Sequence, residues 1–437
     1  MYKALVARIS IRPHPNADRL QLGTIQGHQV VVDLTTPDGE LGVFFPCDGQ
    51  LSAEMCRVHN LIGGTDPVTG KHTGGYFPKN RRVRAQKFRG EKSDGYYCPL
   101  SWLAWTGYDL TLLKEGDAFD ELNGQPICQK YYTPATLTAM GRQRRGQSAV
   151  PRRIMFPPHV DTAQWRYHNR NVPRDSVIYI SEKLHGTSGR YGHVAEVKPL
   201  PWFRRIVNKL AGGDGTVIEW KHLHGSRNVI LNDDQPGFYG TNEFRRDVVG
   251  DLQLHQGEVL YYEIVGDVTT GTPIMPAHPI KDELKDLKKQ YGARMEYRYG
   301  TVPGERKLFV YRITQINEQG REIELSWPQV VGRCKELGLQ TVPVLATALA
   351  APPNNNHTWL FLNGEGTWLS ASGINPVVET LTDGESTLDS RHIREGVVVR
   401  IESSEGIKFL KNKSFAFGVL EGYIKDIDTY VDLEEAS

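Results

Sequence analysis

Short runs of apolar and β-branched residues recur along the N-terminal part of the chain. Residues 2–11 and 29–34 either alternate apolar with polar positions or run apolar, and Gly, Pro and Asp punctuate them at turn intervals. Short strands at such spacing are typical of a small β-barrel. We therefore predict a barrel over residues 1–128.

A different pattern begins at residue 173, where strands alternate with short helices. Residues 282–290 and 327–338 are predicted to be helical. Two stretches, 198–222 and 343–390, are predicted to be insertions in this second domain, and the latter is rich in Pro, Asn, Gly, Ser and Thr.

Residues 129–172 separate these two patterns. They carry several arginines and show little periodicity, which indicates a basic linker. The predicted fold class is therefore α+β, with an N-terminal domain over 1–128 and a second domain over 173–437.

The composition is that of an ordinary globular protein of 437 residues. Its 52 Lys and Arg against 51 Asp and Glu give a net charge of +1, so the overall charge does not indicate a nucleic-acid-binding protein. No apolar stretch approaches the ~20 residues that span a bilayer. Five widely spaced cysteines without a Cys-x-x-Cys pair indicate reduced thiols. We therefore expect a cytoplasmic protein with no membrane segment.

Positive charge is concentrated locally in residues 80–92, where six of thirteen residues are Lys or Arg. The alternation suits a strand that follows an RNA phosphate backbone on one face of the barrel. It equally suits a solvated edge strand whose charges prevent aggregation. The candidate RNA-binding residues are Arg81, Arg82, Arg84, Lys87 and Arg89.

A lysine stands at the end of a predicted buried strand, in the string Ser181-Glu182-Lys183-Leu184-His185-Gly186-Thr187-Ser188. An amine at such a place is held still and partly shielded from water. Further strings follow downstream in a fixed order. They are Ser226-Arg227-Asn228, Leu260-Tyr261-Tyr262-Glu263-Ile264-Val265-Gly266, Leu308-Phe309-Val310-Tyr311-Arg312-Ile313, Glu395-Gly396-Val397-Val398-Val399-Arg400 and Ile407-Lys408-Phe409-Leu410-Lys411.

This ordered set resembles motifs I, Ia, III, IIIa, IV and V of the covalent nucleotidyltransferases, which include ATP-dependent RNA and DNA ligases and mRNA capping enzymes. Glu-Lys-x-His-Gly-Thr with a downstream Ser-Arg-Asn is most similar to the RNA ligases. The resemblance implies an ATP-grasp-like nucleotidyltransferase domain of antiparallel sheets with helices over 173–437. It further implies an N-terminal OB domain, and residues 14–20 resemble the opening of tRNA-binding OB modules.

The resemblance implies a role for each motif. Lys183 would be the nucleophile that takes AMP from ATP, with Mg²⁺ or Mn²⁺ held by Glu395 and Glu263. Lys408 and Lys411 would bind the triphosphate; because the family shows Lys-x-Lys, the second lysine is either Lys411 or Lys413. The remaining nucleotide contacts would come from Glu182, Gly186, Arg227 and Tyr311.

The chemistry requires a neutral amine, and a free lysine has a pKa near 10.4. Nearby cations and partial burial both lower the pKa of a lysine. Since every one of these motifs lies beyond residue 171, the sequence predicts that the ATP site is complete from that point onward.

The implied function is a monomeric, ATP-dependent RNA ligase that joins 3′-OH and 5′-phosphate RNA ends through a lysyl-AMP intermediate in RNA repair. A capping guanylyltransferase and a DNA ligase are the enzymatic alternatives. Only 22 residues follow Phe415, too few for the C-terminal OB domain that those enzymes carry. A non-catalytic OB-type protein that binds RNA or tRNA is the alternative of another class.

Overall fold

The computed structural model describes residues 2–421 apart from 48, 66–71, 74, 135, 138–152, 161, 170–171, 202, 205–214, 232–238, 281–284, 351–357 and 364–365. The described residues fall into two compact units. Unit 1 takes those of Met1–Thr133 and Ala163–Arg170, and unit 2 takes those of Pro134–Thr162 and Asn171–Leu420. The predicted linker is therefore divided between both units.

Unit 1 is built mainly from short strands. Its helical segments are α1 (Ala53–Val58), two 3₁₀ helices (Leu100–Thr106 and Leu110–Leu112) and α2 (Trp165–His168). The strands up to residue 130 are β1 Ala4–Arg8, β2 Ser10–Pro13, β3 Leu20–Ile25, β4 His28–Asp33, β5 Leu41–Pro46, β6 Gly49–Leu51, β7 Gly64–Thr65, β8 His72–Thr73, β9 Arg82–Val83, β10 Gln86–Phe88, β11 Glu91–Ser93, β12 Gly95–Pro99, β13 Ala118–Phe119, β14 Glu121–Leu122, β15 Gln125–Pro126 and β16 Cys128–Lys130.

Antiparallel pairing organises these strands into small sheets. The sheet orders include β12-β5-β1-β13, β2-β3-β4 and β16-β6-β9. Alternate apolar residues of β1 and β5, among them Val6, Val43 and Phe45, are fully buried in one core. The predicted β-rich character is confirmed. The hydrogen bonds of the described strands do not close a barrel, so the OB-type barrel remains a prediction.

The rest of the chain contains several long strands together with short ones. They are β17 Arg153–Ile154, β18 Ala163–Gln164, β19 Val177–Lys183, β20 Thr187–Pro199, β21 Thr216–Gly225, β22 Glu258–Thr269, β23 Thr272–Pro273, β24 His278–Pro279, β25 Arg294–Met295, β26 Arg306–Ile316, β27 Glu322–Glu324, β28 Gln340–Thr341, β29 Val344–Ala350, β30 Trp359–Asn363, β31 Trp368–Ala371, β32 Gly396–Ser403 and β33 Gly406–Lys413. The helices of this part are α3 Glu243–Asp247, α4 Lys285–Tyr291, α5 Trp327–Glu336, α6 Ile374–Thr382 and α7 Phe415–Glu421.

Two sheets dominate unit 2. The first, here called sheet A, runs in the order β17-β20-β22-β26-β27, with β21 paired to β20. The second, sheet B, contains β33-β32-β19-β29-β30-β31 in that order. Most pairs are antiparallel and the helices are short, which confirms the α+β class. Both predicted insertions contribute to the sheets, because β21 comes from the first and β29, a direct neighbour of β19, from the second.

Local sequence explains the helix over Trp327–Glu336, which the sequence predicted. Ser326 caps its first turn in a capping box with Gln329, and a proline occupies the first turn, where its missing N–H costs nothing. Val330 and Cys334 lie one turn apart and are buried, as a helical repeat of 3.6 residues requires. Of the other predicted helix, Lys285–Tyr291 is helical and residues 281–284 lie outside the described part.

Among the described helices, none combines the length and the apolar character needed to cross a bilayer. All five cysteines are free thiols, and four of them are buried.

Candidate active site

A cleft of about 920 Å³, open solvent included, is lined by residues from both sheets of unit 2. Lys183, the last residue of β19 in sheet B, and Thr187, the first of β20 in sheet A, are separated by only three residues. The turn at 184–186 therefore joins the two walls at one end of the cleft.

The wall formed by sheet B follows from strand alternation. Side chains two positions apart on a strand share a face, and the register of β19, β32 and β33 aligns them across the sheet. The aligned rows are Lys183–Gly396–Lys413, Ser181–Val398–Lys411 and Tyr179–Arg400–Phe409.

Two of the lysines in these rows belong to one ionic cluster. The Nζ atoms of Lys183 and Lys413 each lie 2.8 Å from Oε1 of Glu395, whose side chain is 1% exposed. Gly396 lies between the two lysines in the register. A Cβ atom at Gly396 would lie 2.1 Å from the carbonyl oxygen of Asn412, so this close packing requires glycine.

Lys408 does not belong to this site, contrary to the sequence prediction. It lies an odd number of residues from Lys411 and Lys413, so its side chain is on the opposite face of β33. There it forms an ion pair with Glu405 at 2.7 Å, and it is 53% exposed. Of the two candidates for the second lysine, Lys411 lines the cleft and Lys413 contacts Glu395.

The wall formed by sheet A carries Ser188, Glu263, Tyr311 and Arg312. Ser188 Oγ donates a hydrogen bond of 3.1 Å to Glu263 Oε2 across the β20–β22 pair. Register shifts in the β22–β26 pair leave Tyr311 without a direct partner on β22, and bulges of this kind re-aim side chains. Burial, and then the Glu263 carboxylate, raise the pKa of the Tyr311 hydroxyl, which therefore stays protonated.

Arg227 also lines the cleft, and a segment that precedes β19 holds its backbone by a hydrogen bond. The backbone N–H of His159 donates to the carbonyl oxygen of Arg227 at 2.9 Å. The imidazole of His159 packs edge-on against the ring of Tyr311, with centroids 5.5 Å apart. His159, Val160 and Thr162 all line the cleft, although the sequence assigned them to a linker.

At the end away from Lys183, a bridge of charged side chains connects the two sheets. Arg312 Nε donates to Glu324 Oε2 at 2.7 Å, and Nη1 of Arg400 lies 3.8 Å from Oε1 of the same carboxylate. Arg400 additionally donates to Glu402 at 2.6 Å. Burial raises the pKa of Glu324.

Glu182 and Gly186 stabilise the end of β19 and the turn that follows it, and Glu182 also lines the cleft. Glu182 alternates with Lys183 along β19, and its Oε2 accepts hydrogen bonds from the N–H and hydroxyl of Thr387 at 2.8 and 2.6 Å. Because Glu182 lines the cleft as well, the contact of its carboxylate with the nucleotide remains a prediction. At Gly186 a Cβ would lie 2.3 Å from the carbonyl oxygen of Ile264, so glycine is needed for packing against β22.

A buried tyrosine holds the same turn from behind. The hydroxyl of Tyr299 accepts a hydrogen bond of 2.6 Å from the backbone N–H of His185. Tyr299 has a φ of 50°, which is costly for an aromatic residue, and its own N–H lies 3.3 Å from Nε2 of His392. Burial raises the pKa of Tyr299 well above its usual value, so the hydroxyl remains neutral.

The charge of the cleft favours an anion. Its lining includes five cationic side chains against two carboxylates: Lys183, Arg227, Arg312, Arg400 and Lys411 against Glu182 and Glu263. In the part of the chain that the structure describes, no three His, Cys, Asp or Glu side chains cluster as a metal cage.

The predicted RNA-binding residues of unit 1 differ in their surroundings. Arg82 is 1% exposed, and its guanidinium carbon lies 4.7 Å from the ring centroid of Tyr131, so it contributes to the core. Arg81 donates to the carbonyl oxygen of Leu51 at 3.2 Å. Arg84 is half-buried and Arg89 is exposed, and the side chain of Lys87 lies outside the described part. The prediction that Arg82 contacts RNA is therefore wrong.

Comparison with known proteins gives a family and a fold. A family model described as RNA ligase matches residues 176–415. The chain is similar to a structure of Naegleria gruberi RNA ligase with PPi, at 15% identity and a TM-score of 0.52, over 95% of this chain and 97% of that chain. A mutant of that ligase with ATP and Mn matches at 15% identity and a TM-score of 0.53, over 96% and 99% of the two chains. These structural likenesses concern the fold, and no curated protein matches the chain.

Proposed function

Since this chain belongs to the RNA ligase family, we propose that it is an ATP-dependent enzyme that joins the 3′-OH and 5′-phosphate ends of RNA. The observation that carries the proposal is the convergence of Lys183 and Lys413 on Glu395 at the closed end of a cationic cleft. The similar ligase structures with ATP and Mn support the choice of nucleotide and metal.

In the proposed reaction, Nζ of Lys183 attacks the α-phosphorus of ATP. The phosphorus–nitrogen bond forms, the bond to pyrophosphate breaks and the amine gives up a proton. A 5′-phosphate of RNA then takes the AMP, which restores the lysine. Finally a 3′-OH attacks that activated phosphate, AMP leaves, and a phosphodiester bond remains.

The arrangement of the cleft supports these roles. Lys411 and Lys413 lie two residues apart on the same face of β33 as Lys183 on its own strand, so their charge would stabilise the leaving pyrophosphate. Tyr311 offers an aromatic face for adenine, and Arg227 lies beside it for the ribose or the RNA end. The cation-rich lining would also disfavour a protonated Lys183 once Glu395 is engaged elsewhere.

A divalent cation fits the carboxylates that are present. Mg²⁺ is usually held by one or two carboxylates, phosphate oxygens and water, not by a cage made entirely of protein ligands. In our proposal Glu395 and Glu263 would hold it, and the ion would supply charge stabilisation at the phosphates. Release of Glu395 from Lys183 would remove the carboxylate that lies 2.8 Å from that amine.

The same observations bear on the alternatives and on the N-terminal unit. A capping guanylyltransferase would share the cleft but form a lysyl-GMP, and a DNA ligase would seal a deoxyribonucleotide nick. In our proposal unit 1 holds the RNA, and the exposed Arg89 with Arg84 and Lys87 are the candidates for phosphate contacts.

The test is sealing of labelled strands with a ribonucleotide 3′-OH and a 5′-phosphate, supplied as a nicked duplex, as single strands and as a cleaved tRNA. We expect joining with ATP and Mg²⁺ or Mn²⁺ on at least one substrate. Joining that requires a deoxyribonucleotide 3′ end, or labelling of the protein by GTP in preference to ATP, would contradict the proposal.

A further inference from the structure

The segment Ile154–Val160, which precedes the recognised motifs, is fixed to sheet A by many contacts. Ile154 pairs with Glu196 of β20, and the N–H of Met155 donates to the carbonyl oxygen of Ala195 at 2.9 Å. Phe156 is 6% exposed and packs in a core cluster with Val194 and Val259. This segment is therefore an integral part of unit 2.

A buried arginine links the same segment to Arg227. Arg190 is 1% exposed; its Nε donates to the carbonyl oxygen of Ser226 at 2.7 Å, and its Nη1 donates to those of Phe156 and Pro157. Burial lowers the pKa of Arg190 to about 10, which still leaves it charged at neutral pH. The segment before His159 and the turn that carries Arg227 are thus held by one side chain.

Two residues beyond Pro157 face the cleft. His159 lines it while packing edge-on against Tyr311, at 5.5 Å between centroids and 61° between planes. Val160 also lines the cleft although its apolar side chain is 46% exposed. An imidazole and an exposed isopropyl group beside an aromatic ring suit a flat, uncharged ligand group better than a phosphate.

The strand spacing places Tyr179 in the row beyond the two rows that carry the lysines. Lys183 and Tyr179 are four residues apart on β19, about 13 Å at the usual rise of a strand. Lys413 lies in the row of Lys183, and Lys411 lies in the row of Ser181. A nucleotide whose α-phosphate meets Lys183 would extend its base toward the row of Tyr179. Tyr311 and His159 belong to the opposite wall of the same cleft.

We propose that His159 and Val160 form the outer side of the base-binding part of the cleft, where His159 fixes the ring of Tyr311 and Val160 covers the base. The inference rests on the proposed function, because the base is that of the ATP which modifies Lys183. A residue pair from before the family motifs would then contribute to the affinity for the nucleotide.

The experiment measures the rate of lysyl-AMP formation against ATP concentration for the full-length protein. The variants are His159→Ala, His159→Phe, which keeps an aromatic ring beside Tyr311, and Val160→Ser, whose exposed site does not threaten folding. His255→Ala is the matched control, because His255 is exposed in the same unit and does not line the cleft. Melting curves accompany each variant.

We expect the half-saturating ATP concentration to rise about tenfold for His159→Ala and about threefold for Val160→Ser, as the loss of an aromatic or apolar contact implies. The maximal rate should stay within about twofold, because these residues contact the base and not the reacting phosphate. His159→Phe should lie closer to wild type than His159→Ala. Inhibition by adenosine should weaken in His159→Ala while inhibition by pyrophosphate is unchanged.

Two results would overturn the inference, and they are distinguishable. A wild-type protein that forms no lysyl-AMP would remove the proposed function and this inference together. A wild type that is labelled normally, with His159→Ala and Val160→Ser curves that match it, would remove the inference alone. Should His159→Ala fail to fold, the Val160→Ser curve and its adenosine inhibition decide.

Discussion

Lys413 places its Nζ atom 2.8 Å from Oε1 of Glu395. The same oxygen is 2.8 Å from Nζ of Lys183, so the proposed nucleophile shares its anionic partner with a second lysine. Three charged groups at one end of the cleft are thereby coupled, and a change at any one of them alters the charge felt by the other two.

Lys413 and Lys408 give a matched pair of substitutions on one strand. Lys413→Ala should reduce lysine adenylylation by at least ~10²-fold, the scale of losing a main electrostatic stabiliser. Lys408→Ala should stay within about twofold, because Lys408 contacts only exposed Glu405 and surface ion pairs are worth little. Rates of label incorporation from α-labelled ATP provide the measurement, and equal losses in both variants would refute the assignment.

Glu395 is the carboxylate on which the catalytic end depends. Glu395→Gln keeps the shape but removes the charge, and we expect adenylylation to fall by at least ~10²-fold. Because the change removes the buried carboxylate that Lys183 and Lys413 share, melting temperatures must be measured alongside. A Glu395→Gln protein that is folded and adenylylates at the wild-type rate would show that this carboxylate does not contribute to the reaction.

Truncated chains that begin before or after the segment Ile154–Val160 test whether that segment contributes to ATP binding. A chain that begins at Pro134 retains β17 and the cleft residues His159, Val160 and Thr162, and it should still form lysyl-AMP. A chain that begins at Asn171 lacks them and should need at least ~10-fold more ATP, equivalent to about 1.4 kcal/mol. Identical ATP dependence of the two chains would show that the segment is dispensable.

His28 gives unit 1 a predictable response to acid. Burial lowers its pKa to about 3, and its ring packs between those of Phe44 and Tyr167. The unfolded chain takes up a proton near pH 6.5 and the folded one does not, so stability falls as pH decreases from about 6.5 toward 3. The loss should reach about 1.4 kcal/mol by pH 5.5.

His28→Phe removes that proton uptake and supplies the control. Urea unfolding of wild type and His28→Phe at pH 7.5 and 5.5 should show a smaller loss of stability for the variant, by about 1.4 kcal/mol. Equal losses in both proteins would mean that His28 is protonated in the folded state.

The sequence alone was sufficient to predict which residues share the cleft where their positions depend on the order of the strands. Lys183 ends β19, Glu263 lies within β22 and Arg227 follows β21, and all three line one cleft because these strands belong to two adjoining sheets. The period of two along β33 also decides between lysines: Lys411 and Lys413 share a face and Lys408 does not. For a strand over these residues, the spacing of the three lysines alone separates Lys408 from the other two.

Other residues depended on contacts that no local pattern reveals. The position of Glu182 beside Lys183 predicts a nucleotide ligand. In the structure its carboxylate also accepts hydrogen bonds from Thr387, which is 205 residues away in sequence. His159 precedes β19 by many residues, and long-range contacts of its segment with sheet A, together with the hydrogen bond to Arg227, bring it to the cleft. The sequence predicts that Arg82 is a surface cation, because its contact with Tyr131 joins residues that are remote in sequence.

The central claim is that Lys183 becomes covalently adenylylated, and labelling with α-labelled ATP and Mg²⁺ or Mn²⁺ followed by denaturing electrophoresis tests it most directly. Wild type should carry a label that survives denaturation, whereas Lys183→Ala, which lacks the nucleophilic amine, should carry none. Lys408→Ala, run in parallel, should be labelled like wild type. Equal labelling of Lys183→Ala and wild type would contradict the account.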